Sequence, residues 1–319
     1  GRAGDAEWAA ATVARIAAIP NGPLPAPAAP PPPIIAAARH AAGAYRERIL
    51  ACQAAIAAGE AYQLCLVNEF RVEAESIDAV AVHRRLRAMS PAHHGGFVRI
   101  GGVALASASP ELFLHVGPER RVTTKPIKGT RPRGADADSD RALAAELVAS
   151  EKERAENLMI VDLMRNDLGR VASLGSVVVD ALFAVESYPQ VHQLVSTVSA
   201  RLAAGVGPID AVRAAFPAGS MTGAPKLRAM QLLHGFEDGP RGVYSGAFGR
   251  LGDDGALDLA MVIRSIVVVG AVARIGAGGG ITALSDPDEE VEEVRVKARA
   301  LLAAVGAAVP AEFAGREAS

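Results

Sequence analysis

Aromatic side chains are scarce in this 319-residue chain: they make up 4% of it, with a single tryptophan. A core poor in rings must rest on Leu, Val and Ile and on close Ala and Gly contacts. Half of the residues are apolar, enough for one large domain or two fused lobes. Cysteine is nearly absent. Cys52 and Cys65 are too far apart for a C-x-x-C motif, which argues against a disulfide framework or a thiolate zinc site. Positive charge is not in excess either. The chain has 33 Lys and Arg against 35 Asp and Glu, a formal net charge of −2, so it lacks the basic field that nucleic-acid binding requires. No uncharged apolar run approaches the length of a membrane span. Residues 263–284 come nearest, and Arg264, Arg274 and several glycines interrupt them. The start carries no signal-peptide pattern, and its first residue is Gly rather than Met. The expectation is a soluble, cytoplasmic protein with a processed or trimmed N-terminus.

Residues 1–39 read as an Ala/Pro-rich segment or linker, with a short helix over 9–19 and the run Pro30-Pro31-Pro32-Pro33 near its end. Residues 40–306 read as the main folded unit and 307–319 as a tail. Periodicity predicts a helix over 35–59, a strand over 62–71 and a helix over 77–89. Strands follow over 96–108, 111–116 and 121–124. One long helix is expected over 138–168, then a strand over 176–185, a helix through Leu194, and helices from Pro208 and Pro225. A hairpin of 244–251 and 257–269 turns at Asp253-Asp254-Gly255, a strand covers 272–277, and a last helix starts at Pro287. Antiparallel strands interleaved with long helices point to the α+β class.

The last helix opens with a good N-cap in Asp286, Pro287 at its first position and Glu289 to close a capping box. Glu290, Glu293 and Lys297 share one of its faces, beside an apolar stripe of Val291, Val294, Leu301 and Leu302. Alone, this reads as an ordinary solvated acidic face. A second Glu-x-x-Glu pair, Glu153 and Glu156, leads into Leu158-Met159-Ile160-Val161, which should be buried. Carboxylates there are unfavourable unless paired or metal-bound. Two such pairs facing one another would offer oxygen ligands to Mg²⁺, which takes one or two carboxylates and fills its sphere with water and substrate oxygens.

Lys128 lies in Lys125-Pro126-Ile127-Lys128-Gly129-Thr130, where Pro126 and Gly129 fix a sharp path. A lysine becomes nucleophilic when burial or nearby cations lower its pKa, and Lys125 and Arg131 are close in sequence. Local sequence alone leaves Lys128 a surface lysine in a turn. The small-residue stretch 219–226 and the glycine cluster 276–280 could present amides to an anion, although neither is a Walker loop or a dinucleotide fingerprint. Arg264 interrupts the apolar run Met261-Val262-Ile263, and its fork suits a carboxylate. His192 is a candidate acid–base group, though one histidine in a helix is more often structural.

These pieces occur together in a particular order. Ala108-Ser109-Pro110-Glu111, Pro126-Ile127-Lys128-Gly129-Thr130, and Arg154-Ala155-Glu156-Asn157-Leu158-Met159 with Arg165-Asn166-Asp167-Leu168-Gly169-Arg170 come first. Residues 219–226, Tyr244-Ser245-Gly246, Ile263-Arg264, the glycine cluster and Ser285-Asp286-Pro287 with Glu290, Glu293 and Lys297 follow. Over roughly residues 40–305 the chain resembles the chorismate-utilising enzymes. Within them it is similar to the branch that aminates chorismate at C4 for p-aminobenzoate, and so folate, synthesis.

The resemblance implies two packed antiparallel sheets flanked by helices, with residues 40–306 as the catalytic domain and the site between the sheets. It implies Mg²⁺ on Glu156 and Glu293, supported by Glu153 and Glu290, gripping the ring carboxylate of chorismate. It assigns the enolpyruvyl carboxylate to Arg264, Tyr244, Thr222 and the amides of Gly278, Gly279 and Gly280, with Lys297 adding positive charge. Lys128 matches the covalent nucleophile of the C4-aminating branch, where anthranilate synthases usually carry alanine. Glu111 matches the acid that assists departure of the ring hydroxyl. Ammonia would come from a glutaminase, a separate glutamine amidotransferase or a fused domain.

Three positions depart from, or discriminate among, the branches. Gln63 stands where isochorismate and salicylate synthases carry a water-activating lysine, which argues against water as nucleophile. Gln193 stands where anthranilate synthases carry histidine; His192 is one residue off, a step of about 100° on a helix. Cys65 stands where some C4-aminating enzymes have asparagine. The competing readings are an anthranilate synthase and a non-catalytic chorismate-binding or glutaminase scaffold. The intact Lys128 and glutamate pairs speak against a scaffold.

Overall fold

The computed structural model describes residues 3–19 and 34–313, so the proline run and the last six residues lie outside the described chain. Two seven-stranded antiparallel sheets organise it. The first runs Gly223–Ala224, Gln63–Glu73, Val272–Ile281, Ser265–Val269, Val103–Ser109, His94–Ile100, and Ala37–Ala38 also pairs with Gln63–Glu73. The second runs Ala247–Leu251, Leu257–Met261, Leu112–Val116, Arg121–Lys125, Val191–Arg201, Ile127–Pro132, with Val178–Ser187 also on Val191–Arg201.

Each sheet has its own core. Helices Ala42–Ala57, Ala79–Met89 and Pro287–Val305 bury Tyr45, Ile49, Leu86, Leu301 and Leu302 with Leu64, Phe70, Ile266 and Ile275 of the first sheet. Helices Glu151–Gly169 and Pro208–Ala215 bury Ile160, Met164, Leu168 and Ala211 with Phe113, Leu114, Val122 and Val198 of the second. The aliphatic core expected from a ring-poor composition is present, each fully buried Leu or Ile contributing about 1.5–3 kcal/mol. The fold is α+β with two antiparallel sheets, as expected from the pattern of elements.

The chain crosses between the sheets at Pro110-Glu111, between Val103–Ser109 and Leu112–Val116, and again at residues 262–264, between Leu257–Met261 and Ser265–Val269. The two crossings are bonded to each other. Ala108 N donates to Arg264 O at 3.0 Å, and Met261 N donates to Glu111 O at 3.1 Å. Arg264 holds φ +49° at the second crossing, a left-handed conformation that a residue with a Cβ keeps only with support from its surroundings.

Several expected elements differ. The helix predicted from residue 35 begins at Ala42, and residues just before it form short strands. The single strand predicted over 96–108 folds back at Gly101-Gly102 into a hairpin, with Gly101 at φ +57°. The long helix predicted over 138–168 is two, Ala137–Ala149 and Glu151–Gly169. Ser150 leaves the helical region at ψ 111°, and its hydroxyl accepts from Glu153 N to cap the second. The helix predicted through Leu194 is the strand Val191–Arg201. Its β-branched Val191, Val195, Thr197 and Val198 favour extended backbone, and burial on both faces hides the period of two. The strand predicted over 257–269 breaks at the second crossing, so Arg264 is not inside a strand. The N-terminal helix is Ala3–Ala17 and leaves Trp8, Val13 and Ile16 exposed.

Ile34–Ile35 pairs in parallel with Ala307–Ala308. Beyond that pair, Phe313 is buried and meets Phe70 edge-on at 5.4 Å, so the folded body continues through Phe313. No helix among the described residues is long and apolar enough to cross a membrane. Phe313→Ala should lower the unfolding free energy by about 3–5 kcal/mol. Urea unfolding would show this as a lower midpoint at an unchanged slope. A loss below about 1 kcal/mol would mean that the site closes without the ring.

Candidate active site

A cavity of about 590 Å³ opens where the two sheets meet helices Glu151–Gly169 and Pro287–Val305. Lys128, Glu111, Glu153, Glu156, Glu290, Glu293, Tyr244, Arg264, Gly278, Gly279, Gly280 and Lys297 all line it. Residues up to 186 positions apart in sequence are thus brought to one place. Thr222 is the exception among the expected residues. It is buried beside the cavity, and its hydroxyl donates to Ala218 O at 3.1 Å, so its side chain braces the turn.

The placement follows from local structure. The sheet crossings set Glu111 and Arg264 at the cavity wall. Lys128 follows Pro126 on the strand Ile127–Pro132, and Asn157 anchors that strand to the helix of the first glutamate pair. Asn157 lies next to Glu156, accepts from Ser196 Oγ at 2.5 Å and donates to Leu194 O at 3.4 Å. Ser196 N in turn donates to Pro126 O at 3.2 Å. The anchor fills the bulge between Gln193 and Val195, where the pairing with Ile127–Pro132 shifts register.

The glycine cluster lies within the strand Val272–Ile281, not after it. One edge pairs with Gln63–Glu73 throughout, and the other pairs with Ser265–Val269 only as far as Arg274, leaving the glycine end towards the cavity. The missing side chains make room there. A Cβ at Gly276 would fall 2.3 Å from the Tyr244 ring, and one at Gly280 would fall 2.1 Å from Gln63 Nε2 and 3.0 Å from Lys128 Nζ.

His192 points elsewhere. It is on a strand, where one step reverses the face rather than turning it by a third of a circle. Gln193 lines the cavity. His192 instead lies between Asp140, at 2.9 Å, and Ser187, at 2.8 Å, on another part of the sheet.

The electrostatics assign different states to the carboxyls. Burial pushes Glu111 up to about 7, against the opposing effects of the hydrogen bond from Ser220 and the charges of Lys128 and Lys297. Ser220 Oγ donates to Glu111 Oε1 at 2.9 Å. A carboxyl poised near neutrality can hand a proton to a leaving oxygen. Burial also raises Glu153 and Glu290, each reinforced by a neighbouring glutamate. Glu293 is lowered: burial pushes it up, and the paired Lys297 outweighs that.

Lys128 does not owe its setting to its neighbours in sequence. Lys125 pairs with Glu186 at 2.5 Å, and Arg131 pairs with Glu146 at 3.1 Å and Glu153 at 3.7 Å. The Lys128 side chain is 14% exposed, and its amine is 3.4 Å from Glu156. Burial alone would lower its pKa, but Glu156, Glu293 and Glu111 outweigh that and raise it. In this arrangement Lys128 is a cation held by those carboxylates.

The lining holds seven glutamates against five lysines and arginines. Among the described residues no three carboxylates, histidines or cysteines converge tightly enough to enclose a metal. Each member of the two pairs leans on a cation: Glu156 on Lys128, Glu153 on Arg131, Glu290 on Lys152 at 3.6 Å, and Glu293 on Lys297. Yet Glu290 Oε2 is buried with no hydrogen-bond partner, and an all-oxygen donor set suits Mg²⁺, which needs only one or two carboxylates. The residues fit such an ion through donor chemistry and charge deficit.

The sequence matches the chorismate binding enzyme family over residues 3–303. The chain belongs to that family. It is 54% identical over 267 residues to the aminodeoxychorismate synthase of Streptomyces pristinaespiralis, covering 84% of this chain and 37% of that protein. It is 50% identical over 312 residues to the aminodeoxychorismate synthase of Streptomyces griseus, covering 97% of this chain and 42% of that protein. The chain thus spans about two fifths of the length of these relatives. Among solved structures, anthranilate synthase component I from Streptococcus pneumoniae TIGR4 superposes with a TM-score of 0.82 at 32% identity, covering 95% of this chain and 67% of that one.

The family cavity also includes residues that sequence reasoning passed over. Ser220, which holds Glu111, was visible only as one small residue in the 219–226 turn. Lys152, which faces Glu290, was one more charge inside the long helix expected over 138–168. Cys65 and Gln193, noted only as departures, both line the wall.

A group whose folded pKa is raised from the carboxylate range to about 7 keeps its proton in the native state while the unfolded chain has lost it. Glu111 therefore takes stability away as pH rises from about 4.5 towards 7. The difference in unfolding free energy between the wild type and Glu111→Gln should fall by up to about 3 kcal/mol across that window. Paired urea titrations at pH 5 and pH 8 would measure it, and a pH-independent difference would place Glu111 in the ordinary carboxylate range.

Proposed function

We propose that the cavity binds chorismate and replaces its C4 hydroxyl with an amino group, giving 4-amino-4-deoxychorismate, the precursor of p-aminobenzoate. The observation that carries this reading is the largely enclosed Lys128 amine, 3.4 Å from Glu156, in a cavity that also holds Glu111 and Arg264. The two Streptomyces relatives, each named aminodeoxychorismate synthase, support it.

Chorismate carries two carboxylates. Arg264, exposed into the cavity at the second crossing, would take the enolpyruvyl carboxylate by its fork, with Tyr244 and the glycine edge beside it. The ring carboxylate would lie between the two glutamate pairs. Mg²⁺ held by Glu156 and Glu293, with Glu153 and Glu290 in support, would supply the positive charge that grips this carboxylate. Lys297, bonded to Gly278 O at 2.7 Å, adds charge on the same side.

Lys128, as the free amine after releasing its proton to solvent, would attack ring C2. Both ring double bonds shift, C1=C2 to C1=C6 and C5=C6 to C4=C5, and the C4 oxygen leaves as water with the proton of Glu111. Ammonia then adds at C4, both double bonds shift back, and Lys128 departs as a neutral amine. The new ammonium at C4 returns a proton to Glu111. The balance is chorismate plus ammonia to aminodeoxychorismate plus water. A glutaminase partner or fused domain would deliver the ammonia.

Purified protein with chorismate, Mg²⁺ and an ammonium salt should give aminodeoxychorismate by mass spectrometry, with no free pyruvate. Anthranilate with pyruvate would transfer the protein to the anthranilate branch. Bound, unconverted chorismate would favour a scaffold. Lys128→Ala should lose amination by about a hundredfold or more while keeping Mg²⁺-dependent chorismate binding. Full turnover in that variant would take lysine out of the mechanism.

A further inference from the structure

The strand Gln63–Glu73 brings Cys65 to the cavity wall, and one of its edges is incompletely paired. Gly223–Ala224 pairs with Leu64 and Gln63, and Ala37–Ala38 pairs with Arg71 and Phe70. Between these two short strands a buried stretch of backbone needs other partners. The helix Lys226–Glu237 and the turn after it supply side chains in place of a strand. Glu237 Oε1 accepts from Val67 N at 3.1 Å, and Arg241 Nη2 donates to Cys65 O at 2.7 Å. Arg241 grips both oxygens of the buried Glu237, from Nε at 2.8 Å and from Nη2 at 2.6 Å.

Arg241 also reaches two other segments. Its Nη1 donates to Met221 O at 2.5 Å and to Ser245 Oγ at 3.2 Å. One guanidinium therefore joins the strand of Cys65, the turn of Ser220 and Met221, and the turn of Tyr244. All four of those residues line the cavity, while Arg241 stands behind them. Ser245 sits at φ +67°, a conformation that needs support from its neighbours. A planar fork with five donors can serve these acceptors together, and a lysine ammonium cannot reproduce its geometry.

We propose that Arg241, clamped by Glu237, is a positioning residue for the substrate wall: it sets the Tyr244 ring and the Cys65–Met221 side at the separation the bound ring requires. This rests on the reading that the cavity takes chorismate.

Two variants test it in the full chain. Arg241→Lys keeps the charge and loses the fork. Arg241→Met combined with Glu237→Gln removes both charges, so neither is left buried and unpaired. Steady-state amination with Mg²⁺ and ammonium would be read beside thermal unfolding. Both variants should stay folded, raise the KM for chorismate by about tenfold or more and change kcat by less than about threefold, because ground-state fit is lost rather than chemistry. The KM for ammonium should stay unchanged. An unchanged KM for chorismate in either folded variant, or a fall in kcat alone, overturns the inference. Failure of both variants to fold does so as well, since the pair would then serve stability alone. A wild type that neither binds nor converts chorismate removes the underlying reading and the inference with it. Normal variants of an active wild type remove the inference alone.

Discussion

Buried charge is the constraint to which the rest of the structure answers. Carboxylates and cations taken out of water persist only when paired, hydrogen-bonded or neutralised by a ligand. Around the cavity the pairing is nearly complete and the sign is wrong for a dianion, with seven glutamates against five basic residues. A dianionic substrate entering such a site needs further positive charge. A divalent cation would supply it and would give the unpartnered Glu290 Oε2 something to bind. The glutamate pairs thus make sense as a set that expects two arrivals, a dication and an anion.

Geometry makes that charge arrangement possible. Two helices from different parts of the chain bring one glutamate pair each, and each helix is held to its sheet by an apolar core. Two further charged groups, Glu111 and Arg264, come from places where the chain leaves one sheet for the other. Glu111 and Arg264 lie on two crossings that hydrogen-bond to each other, so both side chains share one rigid support. Such positions are unfavourable for backbone regularity, as the φ of Arg264 shows, and favourable for aiming side chains between two sheets.

The motifs of the site were legible because each is short, local and chemically unusual. Asp286, Pro287 and Glu289 announced the last helix, and its Glu290, Glu293 and Lys297 fell on one face as their spacing required. The class of the fold was legible from strands alternating with long helices. What could not be read depends on contacts far apart in sequence. The strand Val191–Arg201 is buried on both faces, so its period was invisible and His192 was given a helical neighbourhood it does not have. The glycine cluster looked like a loop because glycine is rare in strands. Here its lack of side chains makes room for Tyr244, Gln63 and Lys128. Thr222 shared a motif with Ser220, and only packing decides which hydroxyl reaches the cavity.

Lys128 gathers these lessons. Its sequence neighbours offered cations that could depress its pKa, yet Lys125 is paired with Glu186, and Arg131 with Glu146 and Glu153. The groups that govern it are Glu156, Glu293 and Glu111, which hold it protonated despite burial. A dication bound by the glutamates would turn their field from stabilising the ammonium to opposing it, without any movement of the lysine. Deprotonation would then follow metal and substrate loading, and a free amine would not sit in the cavity beforehand. The same carboxylates that hold the substrate's counter-charge would thereby govern when the nucleophile becomes available, which links binding and chemistry through one set of charges.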